Sequence, residues 1–145
     1  MPFGRSRRGQ ETEAVEPDQG GRIPLHYAAM ENDAALVGLL ISSGQSPNAQ
    51  DKLGYTPLHF AAQQQSLASA QKLVERGADV NLTDVHGNGP LWTAVFNSKG
   101  DGNLILLLRG HGAEALLVNK HGKTPVTLAR TIANYDVKQY FTDLE

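Results

Sequence analysis

Asp51-Lys52-Leu53-Gly54-Tyr55-Thr56-Pro57-Leu58-His59-Phe60-Ala61-Ala62 is the stretch that decides the fold, because its pattern occurs four times. Gly21-Arg22-Ile23-Pro24-Leu25 precedes it, and Gly87-Asn88-Gly89-Pro90-Leu91 and Gly122-Lys123-Thr124-Pro125-Val126 follow, with the prolines 33, 33 and 35 residues apart. A period of this size marks stacked supersecondary units. A second landmark lies about 20 residues after the first three prolines: Ser43-Gly44, Arg76-Gly77-Ala78-Asp79 and His111-Gly112-Ala113-Glu114.

One unit can be read from its residues. Thr56 can accept an orphan backbone N–H, and Pro57 sits where the first turn of a helix needs no donor. Leu58, Ala61 and Ala62 then fall at i, i+3 and i+4, a narrow apolar stripe whose small residues allow close helix approach. A second helix runs to Arg76 with Ala70, Leu73 and Val74 inward, and Gly77 stands where a left-handed cap is wanted. Ala78 to Asp84 reads as an extended connection, a short β-finger leading to the next unit. The same second helix shows in Leu36, Val37, Leu40 and Ile41 and in Leu104, Ile105, Leu107 and Leu108. A lone helix pair cannot bury such a stripe, so the units stack into one elongated core. Val137, Tyr140 and Phe141 close the stack, while Asp136, Lys138 and Gln139 face water.

These readings divide the chain into a disordered tail, 1–19, and one repeat domain, 20–145, with units 20–51, 52–84, 85–119 and a truncated capping unit 120–145. The tail holds only four apolar side chains, Met1, Phe3, Ala14 and Val15, too few to offset the entropy of ordering it. Its Arg7-Arg8 lacks the apolar stretch of an export signal. With 13 Lys+Arg against 15 Asp+Glu, the net charge of −2 offers no general attraction for nucleic acid. The absence of cysteine removes disulfides, thiolate metal sites and a cysteine nucleophile. No run of about 18 apolar residues is present to span a bilayer, and with no targeting segment visible the cytoplasm is the expected compartment.

The units resemble ankyrin repeats over about residues 20 to 141. Residues 51–62 with Lys72-Leu73-Val74-Glu75-Arg76-Gly77-Ala78-Asp79-Val80-Asn81-Leu82-Thr83-Asp84 nearly reproduce the family pattern. Unit one departs by Ile23 in place of the capping threonine. Unit three departs further, with Gly89 for the threonine, Trp92 for the histidine and two extra residues within 97–103; unit four has Thr127 at the histidine position. The resemblance implies an all-α solenoid of about four helix-turn-helix repeats with short β-finger loops. The C-terminal half, PLWTAVFNSKGDG at 90–102 with LARTIANYDVKQYF at 128–141, is also similar to small bacterial ankyrin proteins encoded beside toxins, which implies an immunity-type role.

Chemistry is sparse. For His26 and His59 the resemblance implies hydrogen bonds to the repeat's own backbone or capping threonine. His86 and His121, 35 residues apart, fall on corresponding turns and read as exposed turn residues rather than metal ligands. Asp51 and Asp84 read as turn acids that bond backbone N–H groups. Gly100-Asp101-Gly102-Asn103 lacks the lysine and following Ser/Thr of a phosphate loop and reads as a lengthened turn. Asn81-Leu82-Thr83 fits a glycosylation acceptor by chance.

The residues that neither cap, turn nor pack are therefore the candidate partner-binding set. The resemblance places them on a concave surface: Arg22, Tyr27, Met30 and Glu31 in unit one, then Lys52, Leu53, Tyr55, Gln63 and Gln64 in unit two. Unit three contributes Val85, His86, Asn88, Trp92, Phe96 and Asn97, and unit four Lys120, His121 and Lys123. Exposed aromatic, Met and Arg side chains are the types that carry binding energy at interfaces. Tyr55 and Phe96 have no evident core duty, and Trp92 reads equally as interface or as packing beside the extra residues. The set is mildly basic, which favours an acidic or neutral partner.

The expected activity is non-enzymatic binding of another protein through the concave face, the partner being a cognate toxin or effector as the C-terminal resemblance implies, or alternatively the recruitment of partners as a general adaptor. No cofactor, metal, nucleic acid or membrane is expected, and the free chain is expected to be a monomer. A catalytic site built on the unit-three insertion with His86 or His121 is disfavoured, since no nucleophile, base and orienting group converge.

Overall fold

The structure, a computed structural model, describes residues 15–144. Three complete helix pairs are followed by a shortened unit. The pairs are α1 (Pro24–Met30) with α2 (Ala34–Ser42), α3 (Pro57–Gln63) with α4 (Leu67–Glu75), and α5 (Pro90–Phe96) with α6 (Asn103–Gly110). Then come α7 (Pro125–Thr131) and a terminal 3₁₀ helix, Lys138–Leu144. First helices pack on first helices and second on second, which makes the repeats a single-file solenoid. Each first helix opens on its proline. Thr56 and Thr124 cap α3 and α7 through their hydroxyls, whereas Ile23 and Gly89 supply no side-chain cap.

One continuous core runs through the stack. Leu58, Ala61, Ala62, Ala70, Leu73, Ile105 and Leu108 are fully buried, as the stripe predicts. In unit one the outcome differs: of Leu36, Val37, Leu40 and Ile41 only Val37 is buried. Leu36 is 37% exposed, while its repeat equivalents Ser69 and Leu104 are at 0% and 1%. Those two are covered by the preceding repeat, and none precedes α2 among the described residues.

The fingers form no β-strand among the described residues, contrary to the expected β-fingers. A side-chain oxygen builds each one. Asp51 Oδ1 accepts the N–H groups of Leu53 and Tyr55 at 2.9 and 2.8 Å, Asp84 those of His86 and Asn88, and Asn119 those of His121 and Lys123. The acceptor sits in a loop of i+2 and i+4 donors, an Asx turn extended by a second bond two residues further on. Asp18 does the same for Gly20 and Arg22. The first finger thus begins at Asp18, inside the segment expected to be a disordered tail; the rest of that tail up to residue 14 lies outside the described residues. Successive fingers are joined by single backbone bonds, Lys52 N–H to Gly20 O, Val85 N–H to Leu53 O and Lys120 N–H to His86 O.

Gly54 completes its finger at φ +81°, and a Cβ there would lie 2.9 Å from the Asp84 Cα of the next finger. Both the left-handed backbone and the contact oppose a side chain. Gly54→Ala is expected to destabilise by about 2–3 kcal/mol in urea unfolding, against less than about 0.5 kcal/mol for an exposed control such as Gln71→Ala.

Below the fingers, asparagines clip neighbouring repeats. Asn48 Oδ1 accepts the Asp79 N–H at 2.7 Å, and Asn81 Oδ1 accepts that of Glu114 while its Nδ2 donates to Gly112 O at 3.0 Å. Asn81 is therefore committed to inter-repeat bonding. The two extra residues of unit three lengthen the α5–α6 turn as expected, and Tyr140 closes over it, its hydroxyl donating to Gly100 O at 2.9 Å. Val137 and Phe141 are buried and Tyr140 half-buried, so the terminal segment does close the stack.

Candidate functional site

Each finger and first helix turns certain positions to the inner face, and the 33-residue period lines them up in columns. Leu53 and His86 form one column, Arg22, Tyr55 and Asn88 a second, Tyr27, Phe60 and Thr93 a third, and Met30, Gln63 and Phe96 a fourth. Together with Trp92, Asn97, His59 and Asp84 they bound a groove of about 470 Å³.

Eleven of the eighteen expected binding residues line it: Arg22, Tyr27, Met30, Leu53, Tyr55, Gln63, His86, Asn88, Trp92, Phe96 and Asn97. Lys52, Val85, Lys120, His121 and Lys123 stand exposed on the fingers outside it, and Glu31 and Gln64 are exposed at the C-caps of α1 and α3. The third column is what the sequence reading misses in Phe60 and Thr93. Its signal was available, since each of these residues follows the Pro-Leu-His or Pro-Leu-Trp tripeptide by one position.

Phe60 is the floor. Its ring lies 5.2 Å from His26 and 6.3 Å from Tyr55, centroid to centroid, with the Arg22 guanidinium 5.7 Å above it. That contact and Asp51, whose Oδ2 is 3.7 Å from Nε, hold Arg22 at the groove end. Tyr55, expected to have no packing duty, stands edge-on to His59 at 5.5 Å, and its carbonyl accepts from His26 Nε2 at 3.1 Å. Phe96 has no such partner among the described residues and is 68% exposed, as is Leu53 of the same groove at 51%. Trp92 is half-buried and lines the groove on one side and a small hollow beside Val80 and Leu117 on the other.

The two buried imidazoles hold the inner wall. Thr56 N–H donates to His59 Nδ1 at 3.1 Å, so the ring proton is on Nε2, which donates to Asn88 O of the next finger at 2.9 Å. His26 is fixed likewise: Nδ1 accepts Ile23 N–H, and Nε2 is shared between Ala49 O and Tyr55 O. The bonds to their own repeat agree with expectation, and the structure adds a bond to the next repeat. Trp92 cannot repeat that bond. The junction of units three and four is held instead by Asn119 Nδ2 donating to Asn88 Oδ1 at 2.9 Å.

Burial pushes both imidazoles below the ordinary value of 6.5 and outweighs the carbonyl acceptors and nearby Asp51, which favour the charged form. The folded state thus takes up these protons less readily than the unfolded chain. Stability from this source is fully present above about pH 6.5 and is lost as pH falls below it, at about 1.4 kcal/mol per pH unit for each histidine until the folded state also protonates. Urea midpoints measured between pH 7.5 and 5 are expected to fall below pH 6.5, and less steeply in His26→Gln.

His86 and His121 stack on neighbouring fingers with centroids 6.2 Å apart. Among the described residues, no group of three or more His, Asp or Glu side chains is placed to hold a metal ion. No helix among them is long and apolar enough to cross a membrane.

Stacked helix pairs with Asx-closed fingers over an inner groove define a repeat-type interaction scaffold. The sequence model of ankyrin repeats, in three copies, matches residues 8–84 and 25–119, and the chain belongs to that family. Its members are typically non-enzymatic protein-interaction modules. Comparison with curated proteins gives no match.

Proposed function

We propose that the chain is a non-catalytic module that binds one partner protein through the concave groove, with Phe96 as the principal anchor. The observation that carries this reading is Phe96 itself, a large aromatic ring left in water in the same groove as Trp92 and Leu53, over a preformed apolar floor. An exposed aromatic of this kind is a recurring hot-spot residue, and a rigid repeat surface loses little ordering entropy on association. Because Tyr55 packs on His59, the clean variant is Phe96→Ala/Leu53→Ala. It is expected to weaken partner binding by roughly a hundredfold while leaving the melting temperature within a few degrees. Isothermal titration against the captured partner, beside thermal melts, checks both; undiminished binding would place the interface elsewhere.

The finer reading is an immunity-type protein that occludes a cognate toxin in the cytoplasm. It is supported by the C-terminal resemblance, and the two stretches that carry it, 90–102 and 128–141, meet where Tyr140 closes over Gly100. Co-expression with a toxin encoded beside it should restore growth, and Phe96→Ala/Leu53→Ala should abolish that protection. A general adaptor would bind several unrelated partners and confer no protection.

A further inference from the structure

The groove continues past the residues that bound it. Counting on by the 35-residue step into unit four, the third column passes from Thr93 to Leu128 and the fourth from Phe96 to Thr131. Both line a second hollow of about 330 Å³, together with Val95, Phe96, Ile132 and Tyr135. Phe96 is the ridge shared by the two hollows. Lys99, at φ +51°, stands on the rim of the second.

Charge is spread unevenly along the same path. The first three fingers each carry an acid in the turn, Asp18, Asp51 and Asp84, against Arg22 in the first and Lys52 in the second. The fourth makes the same turn with Asn119, and its Lys120 and Lys123 are exposed with no acid in the finger to offset them. His121 sits between them and stacks on His86, which belongs to the groove wall. The nearest acid in sequence, Glu114, lines the separate small hollow with Trp92.

Resting on the proposed groove binding, we infer that the partner contributes an acidic segment carrying apolar anchors that straddle Phe96, with its carboxylates against the fourth finger. Apolar groups match the two hollows, and acids match the uncompensated Lys120 and Lys123 of the fourth finger, which His121 joins to the groove wall through His86. Four cations dispersed over three fingers, one of them Arg22 held by Asp51, are too few and too scattered to track a nucleic-acid backbone.

Selection of random peptides displayed on phage against the immobilised chain, followed by titration of a selected synthetic peptide, tests this. The expected consensus is rich in Asp and Glu around aromatic or aliphatic residues. Its affinity should fall roughly tenfold or more in Lys120→Glu/Lys123→Glu and with added salt, and also in Phe96→Ala/Leu53→Ala. Peptides lost by the apolar variant but indifferent to the charge reversal would overturn the acidic segment and leave the groove reading standing. No enriched peptide, or peptides indifferent to the apolar variant, would overturn both. A short oligothymidine bound as tightly as the peptide, and lost on charge reversal, would also overturn the inference. Lys120 and Lys123 are exposed fingertip residues, so circular dichroism of the charge-reversed variant is expected to match that of the parent chain.

Discussion

His59→Ala is expected to destabilise the chain by about 4 kcal/mol, the largest loss from any single polar side chain. The imidazole is fully buried and closes two bonds that water cannot replace. Its Nδ1 accepts the Thr56 N–H that opens α3, and its Nε2 donates to Asn88 O on the next finger. Leaving a buried donor and acceptor unpaired costs about 1–3 kcal/mol each, and the vacated ring volume adds to it. The chain supplies its own control. At the equivalent place in unit four, Thr127 Oγ1 accepts the Thr124 N–H at 2.8 Å, and among the described residues no further finger lies beyond it. His59→Thr should therefore recover the bond within the repeat but not the bond between repeats, and lose about half as much as His59→Ala. Urea unfolding of the three proteins at pH 7.5 orders them; equal losses for Ala and Thr would mean that the inter-repeat bond carries the whole effect.

The same residue shows what a sequence can and cannot disclose. The proline period and the apolar stripes mark the helix pairs of the three full units, because a 3.6-residue stripe must be buried and only stacking buries it, while of the terminal 3₁₀ turn they give only its buried side chains. Asp18 stands 33 residues before Asp51, so the period marks it as a finger residue, whereas the low apolar content of the first nineteen residues does not. The exposure of Leu36 could not be read from α2, whose pattern matches a buried helix, since burial depends on a neighbour rather than on the residue. The groove was half legible. Arg22, Leu53, Met30 and Phe96 declare themselves as apolar or basic residues without a packing duty. Phe60 does not, because it follows a buried histidine and looks like part of the repeat motif. Tyr55 shows the converse error: its ring shields His59, so an aromatic at an exposed position is also part of the inner wall.

Removing residues 134–145 should have the greater effect, a loss of at least about 5 kcal/mol, with the last unit opening before the rest. The terminal segment buries Val137 and Phe141, and truncating one buried phenylalanine alone costs about 3–5 kcal/mol. It also supplies all the partners of Arg109, whose guanidinium donates to both Asp143 oxygens at 2.9 and 2.7 Å and to Tyr140 O at 2.7 Å, and lies 5.1 Å over the Phe141 ring. Asp143 is largely exposed, so the ion pair contributes little beside the apolar closure. A solenoid is stabilised by interfaces between neighbours and has no distant contacts to fall back on. Without the terminal segment, α6 and α7 each lose the element that covers them. Hydrogen exchange should show amides of α6 and α7 opening well before those of α3 and α4, whereas Phe141→Ala should reproduce the same order with a smaller loss of about 4 kcal/mol. Equal protection along the whole stack would refute the closure. Because Ile132 and Tyr135 wall the second hollow and Phe96 is its ridge, a loosened end should also weaken peptide binding at that hollow while leaving the aromatic floor around Phe60 in place.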